Sequence, residues 1–112
     1  MMKLGIIIYS NDPETVWKGF RLGVSSCKIE DTVKIFLLGK GVECEYLDAE
    51  YSGDENFNIT ETMNEFVKSG GEILACGTCL EIRRSKSTDL CPISTMDDLY
   101  DIIAESDKVL TF

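Results

Sequence analysis

Four short aliphatic runs, at residues 4–9, 33–38, 73–75 and 109–112, constrain this chain more than any other feature. None shows the polar alternation of a half-solvated strand, so each reads as a strand covered on both faces. Segments with helical periodicity lie between them. Strands alternating with helices imply an α/β domain with a parallel sheet and right-handed crossovers. One more short strand is expected near residues 89–93, which makes five. At 112 residues the chain is one domain, 1–112, long enough to bury a core without staples.

The helix signals are local. Asp12-Pro13-Glu14 places an N-cap at Asp12 and proline at the first helical position, and Trp17, Phe20, Val24 and Cys27 follow at helical spacing. A second helix is expected from Asn58, with Glu61 completing a capping-box variant. Its apolar stripe is Ile59, Met63, Phe66 and Val67, and Ser69-Gly70-Gly71 ends it. A short helix follows the Cys76/Cys79 pair. A last helix is expected from Ser94, with Met96, Leu99, Tyr100 and Ile103 on its apolar face. Residues 40–57 carry Glu43, Glu45, Asp48, Glu50, Asp54 and Glu55 against one lysine, and read as an acidic, partly ordered surface connection.

Composition removes several kinds of function. A net charge of -9 argues against nucleic-acid binding, which needs clustered Lys and Arg. The apolar run near the N-terminus is too short for a membrane span and precedes no signal-peptide cleavage site, so a cytoplasmic location is expected. A reducing cytoplasm disfavours structural disulfides, and five cysteines cannot all pair within one chain. The absence of histidine excludes Cys-His dyads, Ser-His-Asp triads and every His-ligated metal site. A reactive cysteine here must be activated by a helix start, a cation or a second thiol.

Glu72-Ile73-Leu74-Ala75-Cys76-Gly77-Thr78-Cys79 is where such a cysteine is expected. An apolar strand stops at Cys76, and a helix opens just beyond. Unsatisfied backbone N–H groups point outward at that junction and favour a thiolate. Open parallel sheets collect their chemistry at the carboxyl ends of strands, the edge Ser10 and Gly39 should share with Cys76. Arg83 lies four residues after Cys79, on the same helical face and leaning back toward the thiols. Cys91, ahead of Pro92 at the end of the expected fourth strand, falls on the same edge, as a resolving thiol or a buried one. Cys27 completes an apolar stripe and reads as core.

Four readings of Cys76 and Cys79 stand open: a nucleophile that accepts and passes on sulfur, a dithiol redox pair, half of a metal or iron–sulfur site, or two small core residues. The metal reading needs four ligands, and only Cys27, Cys44 and Cys91 remain, with no second CxxC. No metal or other cofactor is therefore expected.

The segment from Ile73 to Leu80, followed by Arg83, resembles the central motif of the DsrE/DsrF-like family, with the DsrE-related SaoD group as its most similar branch. Phe36-Leu37-Leu38-Gly39-Lys40-Gly41-Val42, Met96-Asp97-Asp98-Leu99-Tyr100 and Asp107-Lys108-Val109-Leu110-Thr111-Phe112 resemble further segments of the family. The resemblance implies a three-layer α/β/α sandwich with a parallel five-stranded sheet, assembled as trimers or hexamers. It implies a sulfur carrier or sulfurtransferase-type protein, with the persulfide at Cys76, a second cysteine at Cys79, and donor and acceptor proteins as partners. A dithiol oxidoreductase and a non-catalytic subunit of a DsrE-like assembly are the alternatives. Two features depart from the family: Arg83-Arg84 replaces a common Arg-Gly, and Cys91 is no general family feature.

Overall fold

The computed structural model describes residues 1–47 and 58–112. In chain order the elements are β1 (Lys3–Ile8), α1 (Pro13–Lys28), β2 (Thr32–Leu37), a 3-10 stretch (Gly39–Tyr46), α2 (Ile59–Lys68), β3 (Glu72–Cys76), α3 (Gly77–Ile82), β4 (Ile93–Ser94), α4 (Met96–Glu105) and β5 (Lys108–Thr111). The five strands form one sheet in the order β4-β3-β2-β1-β5, and every neighbouring pair is parallel. Register aligns Ile8 with Leu37, and Leu37 with Ala75, so three strands end together at the edge that carries Cys76.

Helices cover both faces, which gives the three-layer α/β/α sandwich. On one face Gly19 of α1 lies over Ile8 and Gly23 over Ile35. There α1 meets α2 through Phe20 and Phe66, whose rings stack edge-to-face at 6.1 Å. On the other face α4 lies over Gly5, where an added Cβ would come within 2.9 Å of the Ile102 side chain. Ile6, Ile8, Ile35 and Ile73, from the three central strands, are buried to within 1%.

The caps that the residue types imply are in place. Asp12 accepts the Thr15 N–H at 2.9 Å, and Asn58 accepts the Glu61 N–H at 3.0 Å. Gly70, at φ +102, turns the chain out of α2 in a backbone region that suits glycine.

Several expectations shift. The fourth strand lies at Ile93–Ser94, not residues 89–93, because Thr88 holds Cys91 in a bend, its hydroxyl accepting the Cys91 N–H. The last helix starts at Met96 rather than Ser94. Thr95 is its N-cap, and Asp98 accepts the Thr95 N–H while Thr95 Oγ1 accepts the Asp98 N–H. Of the expected face, only Leu99 is buried, together with Ile102; Met96, Tyr100 and Ile103 are 56%, 68% and 46% exposed. Val67 is likewise exposed at the margin of α2. β5 is an edge strand with all four residues exposed, not covered on both faces. Residues 39–46 are more ordered than a surface connection: Gly41, Val42 and Cys44 are buried. The remaining acidic positions there, Asp48, Glu50, Asp54 and Glu55, lie outside the described residues.

Candidate functional site

Cys76 is both the last residue of β3 and the N-cap of α3, with extended backbone angles (φ -59, ψ 117). That dual position follows from the residues. Ile73-Leu74-Ala75 hold the strand against its neighbours, and Gly77 leaves room for the close approach of β4, where an added Cβ would lie 3.1 Å from the Ile93 side chain. The first N–H groups of a helix have no partner within it, and those of Thr78 and Cys79 favour the ionised form of Cys76, although neither makes a capping hydrogen bond to its sulfur. The Thr78 hydroxyl lies 3.3 Å from the same atom. Cys79, one turn on, donates its thiol proton to Cys76 Sγ at 2.8 Å. Both residues are thiols rather than a disulfide.

The two thiols are not equivalent. Burial opposes ionisation of Cys76 and is the largest single influence on it. The donors from Cys79 and Thr78, side chain and backbone together, outweigh burial and hold the thiol below its ordinary pKa. Cys79 is pushed the other way, first by burial and then by donating its proton to Cys76. Only the Gly39 N–H, at 3.2 Å, and the charge of Arg83 work against that rise. The pair therefore gives up its first proton from Cys76 in preference to Cys79.

Arg83 closes α3 but does not touch the sulfurs. Its Nε donates to Glu43 Oε2 at 2.8 Å, and its Nη1 donates to the Cys79 carbonyl at 3.1 Å. Glu43 is held below the usual carboxylate range chiefly by that guanidinium. Arg84, at φ +52, then reverses the chain.

Beside Cys76 opens a cavity of about 350 Å³, lined by Gly77, Thr78, Ile93, Ser94, Met96 and Asp98 among others. Cys76 itself is only 2% exposed. Ile93 and Met96, 65% and 56% exposed, give the opening an apolar rim. A wider groove of about 490 Å³ runs between α1 and α2, but its lining of Trp17, Arg21, Lys28, Glu61 and other residues contains no thiol.

The structure thus brings together Cys76, Cys79 and, through its carbonyl contact, Arg83. Gly39 joins them on the shared edge, while Ser10 is engaged at the start of α1, where its Oγ accepts the Asp12 N–H. Cys91 is placed elsewhere. Ile93 pairs with Ala75, so Cys91 lies ahead of β4 rather than at its carboxyl end. It is buried, and its thiol is pushed far up by that burial, with Cys44 and Glu45 beside it adding to the effect. Cys44 packs in the core with its sulfur 3.9 Å from that of Met63, and Cys27 is buried on α1. Two contributors escaped the sequence reading. Thr78 had a local signal, a hydroxyl two residues past the N-cap. Glu43 had none, since its partner is 40 residues away.

The profile of the DsrE/DsrF-like family matches residues 2–112. An uncharacterized protein of Methanopyrus kandleri, MK0008, is 30% identical over 103 residues, which cover 88% of this chain and 83% of that protein. An uncharacterized protein of Methanocaldococcus jannaschii, MJ0989, is 30% identical over 102 residues, covering 88% of each. The crystal structure of the YchN protein from E. coli superposes with a TM-score of 0.84 over 100% of both chains, at 24% identity, a likeness of fold.

Proposed function

The chain belongs to the DsrE/DsrF-like family, and we propose that it carries sulfur as a persulfide on Cys76 and passes it to a partner protein. The family's association with sulfur relay supports this reading. The observation that carries it is the donor set around Cys76 Sγ, which favours the thiolate at a strand end facing a cavity. Thiolate is the nucleophilic form of cysteine.

In the proposed cycle the Cys76 thiolate attacks the terminal sulfur of a donor persulfide. The donor's inner sulfur leaves as a thiolate, and Cys76 gains one sulfur atom with no net change of oxidation state. The hydrogen bonds that favour the Cys76 thiolate suit the persulfide anion as well. An acceptor thiolate then takes the terminal sulfur and restores Cys76. Alternatively Cys79 attacks the Cys76 sulfur, expels hydrosulfide and leaves a disulfide, which an external dithiol must reduce. Arg83 supplies positive charge at the Cys79 end. Cys91 is given no place in this cycle, because its thiol is buried and burial holds it in the unreactive protonated form. Donor and acceptor proteins, a trimeric or hexameric assembly and a cytoplasmic location belong to the same proposal. Among the described residues no helix is long and apolar enough to cross a membrane.

The test is peptide mass spectrometry after incubation with a persulfide donor. One added sulfur atom on the Cys76 peptide, lost in Cys76→Ser, is expected; an unmodified Cys76 with sulfur elsewhere or nowhere refutes the reading. A second reading, a dithiol oxidoreductase, is favoured by the 2.8 Å sulfur separation, from which a disulfide needs little movement. Redox titration separates the two: a potential well below the cytosolic poise of roughly −220 to −320 mV is incompatible with cycling.

A further inference from the structure

The 3-10 stretch and α3 are fastened to each other at two points, and both involve Cys79. At one end the Gly39 N–H donates to Cys79 Sγ at 3.2 Å. At the other, four residues along the stretch, Glu43 grips Arg83, whose remaining arm donates to the Cys79 carbonyl. Side-chain exposures of 26% for Arg83 and 37% for Glu43 leave this ion pair half-buried, where screening by solvent is weaker than on an open surface.

We propose that Glu43 is a positioning residue for the thiol pair: by pairing with Arg83 it keeps the guanidinium's charge from Cys79 and leaves the proton there. The physical basis is competition for a single negative charge. Two thiolates 2.8 Å apart repel strongly, so the pair loses one proton well before the second. The charge settles on the sulfur with the stronger set of hydrogen-bond donors. Cys76 has the Thr78 hydroxyl and the N–H groups of Thr78 and Cys79; Cys79 has the Gly39 N–H and whatever field Arg83 exerts. An unpaired guanidinium four residues along the helix would tip that balance toward Cys79. The Glu43 carboxylate, paired with Arg83 at 2.8 Å, opposes that field. Asn11 and Lys40 also act on Glu43, and both favour its ionised state. The asymmetry on which a one-nucleophile site depends is therefore reinforced by a carboxylate that touches neither sulfur.

The test reads both thiols directly, without a sulfur donor, so it stands or falls separately from the sulfur-carrier reading. Wild type, Glu43→Gln and Arg83→Gln are alkylated with iodoacetamide across a pH series, and the rate at each cysteine is resolved by peptide mass spectrometry. Each thiolate displaces iodide to form a thioether. In Glu43→Gln the glutamine oxygen still accepts from Arg83, but the cancelling charge is gone. The Cys79 rate midpoint should fall, and the Cys79-to-Cys76 ratio at neutral pH should rise at least about threefold, the effect of a half-unit pKa change. In Arg83→Gln the midpoint should move up and the ratio should fall. Opposite signs are the signature of charge. Simple loosening of the fastening would expose Cys79 in both variants and raise the ratio in both, which would overturn the proposal, as would an unchanged ratio in Glu43→Gln. If Glu43→Gln loses its cooperative melt, the sign in Arg83→Gln still decides; if Arg83→Gln does, Arg83→Met takes its place with the same expected fall, and a rise there overturns the proposal.

Discussion

Gly41→Ala should be among the most damaging single-methyl additions this fold can suffer. The 3-10 stretch crosses the end of β1 at Gly41 so closely that an added Cβ would overlap the Ile8 carbonyl oxygen and lie 2.7 Å from its carbonyl carbon. Gly41 does not need a positive φ; only its missing side chain matters. Overpacking of a core by flexible side chains costs about 1–3 kcal/mol. Here the obstacle is backbone, with no rotamer to yield. It is also fixed, because the same Ile8 carbonyl accepts the Leu38 N–H at 2.9 Å. The cost should therefore reach about 3 kcal/mol. At roughly 2.1 cal/mol/K per residue over 112 residues, that is a fall in Tm of about 13 °C. Gly39→Ala is the control: its φ is +55, yet no atom lies within 4 Å of the added Cβ, so only the left-handed backbone penalty of about 1–2 kcal/mol applies. Urea unfolding of both variants measures the difference. If Gly41→Ala lies within about 0.5 kcal/mol of wild type, the range of an ordinary surface change, the close-approach argument is wrong.

Two further outcomes follow from the site and its flank. Thr78→Val removes a donor from Cys76 Sγ, an effect of about 0.5–1.5 kcal/mol for a typical hydrogen bond, here toward the lower end because Thr78 is exposed. The Cys76 alkylation midpoint should rise by about half a pH unit, and no rise would show that the hydroxyl does not support the thiolate. Asp98 is held below the usual carboxylate range first by the Ser94 hydroxyl and then by Thr95, so its stabilising contribution is present above the unfolded carboxylate value and is lost as pH falls through the folded one. Asp98→Asn should accordingly melt below wild type at neutral pH, with the gap closing as pH drops below about 4; a gap independent of pH would contradict the assignment.

What could be read from the residues was what depends on near neighbours. Aliphatic runs, the Asp12-Pro13 start and the Asn58 cap are set within a few positions, and all stand in the structure. The Cys76 junction was legible for the same reason. The last helix shows the limit. Its periodicity marked an apolar face, but two overlapping faces share Leu99, and sequence does not say which meets the sheet. Gly5 decides it: the space above a residue without a side chain receives Ile102, and the helix rolls Met96, Tyr100 and Ile103 outward. Cys91 lies ahead of β4 rather than at its end, a placement the sequence does not show because a two-residue strand carries almost no pattern to mark its start. In sequence Glu43 is one acid in an acidic run, since its role exists only once the chain has brought Arg83 to it.

The two margins of the sheet offer different things to a passing chain. At the cysteine margin β4 is two residues long, too short to guide another strand into register. At the far margin β5 presents four exposed residues, including Val109 and Leu110, in extended conformation. Any growth of the sheet by strand addition would thus begin at β5, three strands away from the thiols. A chain captured there would leave the approach to Cys76 open, so misassembly at that margin and loss of the reactive sulfur are separate hazards for this protein.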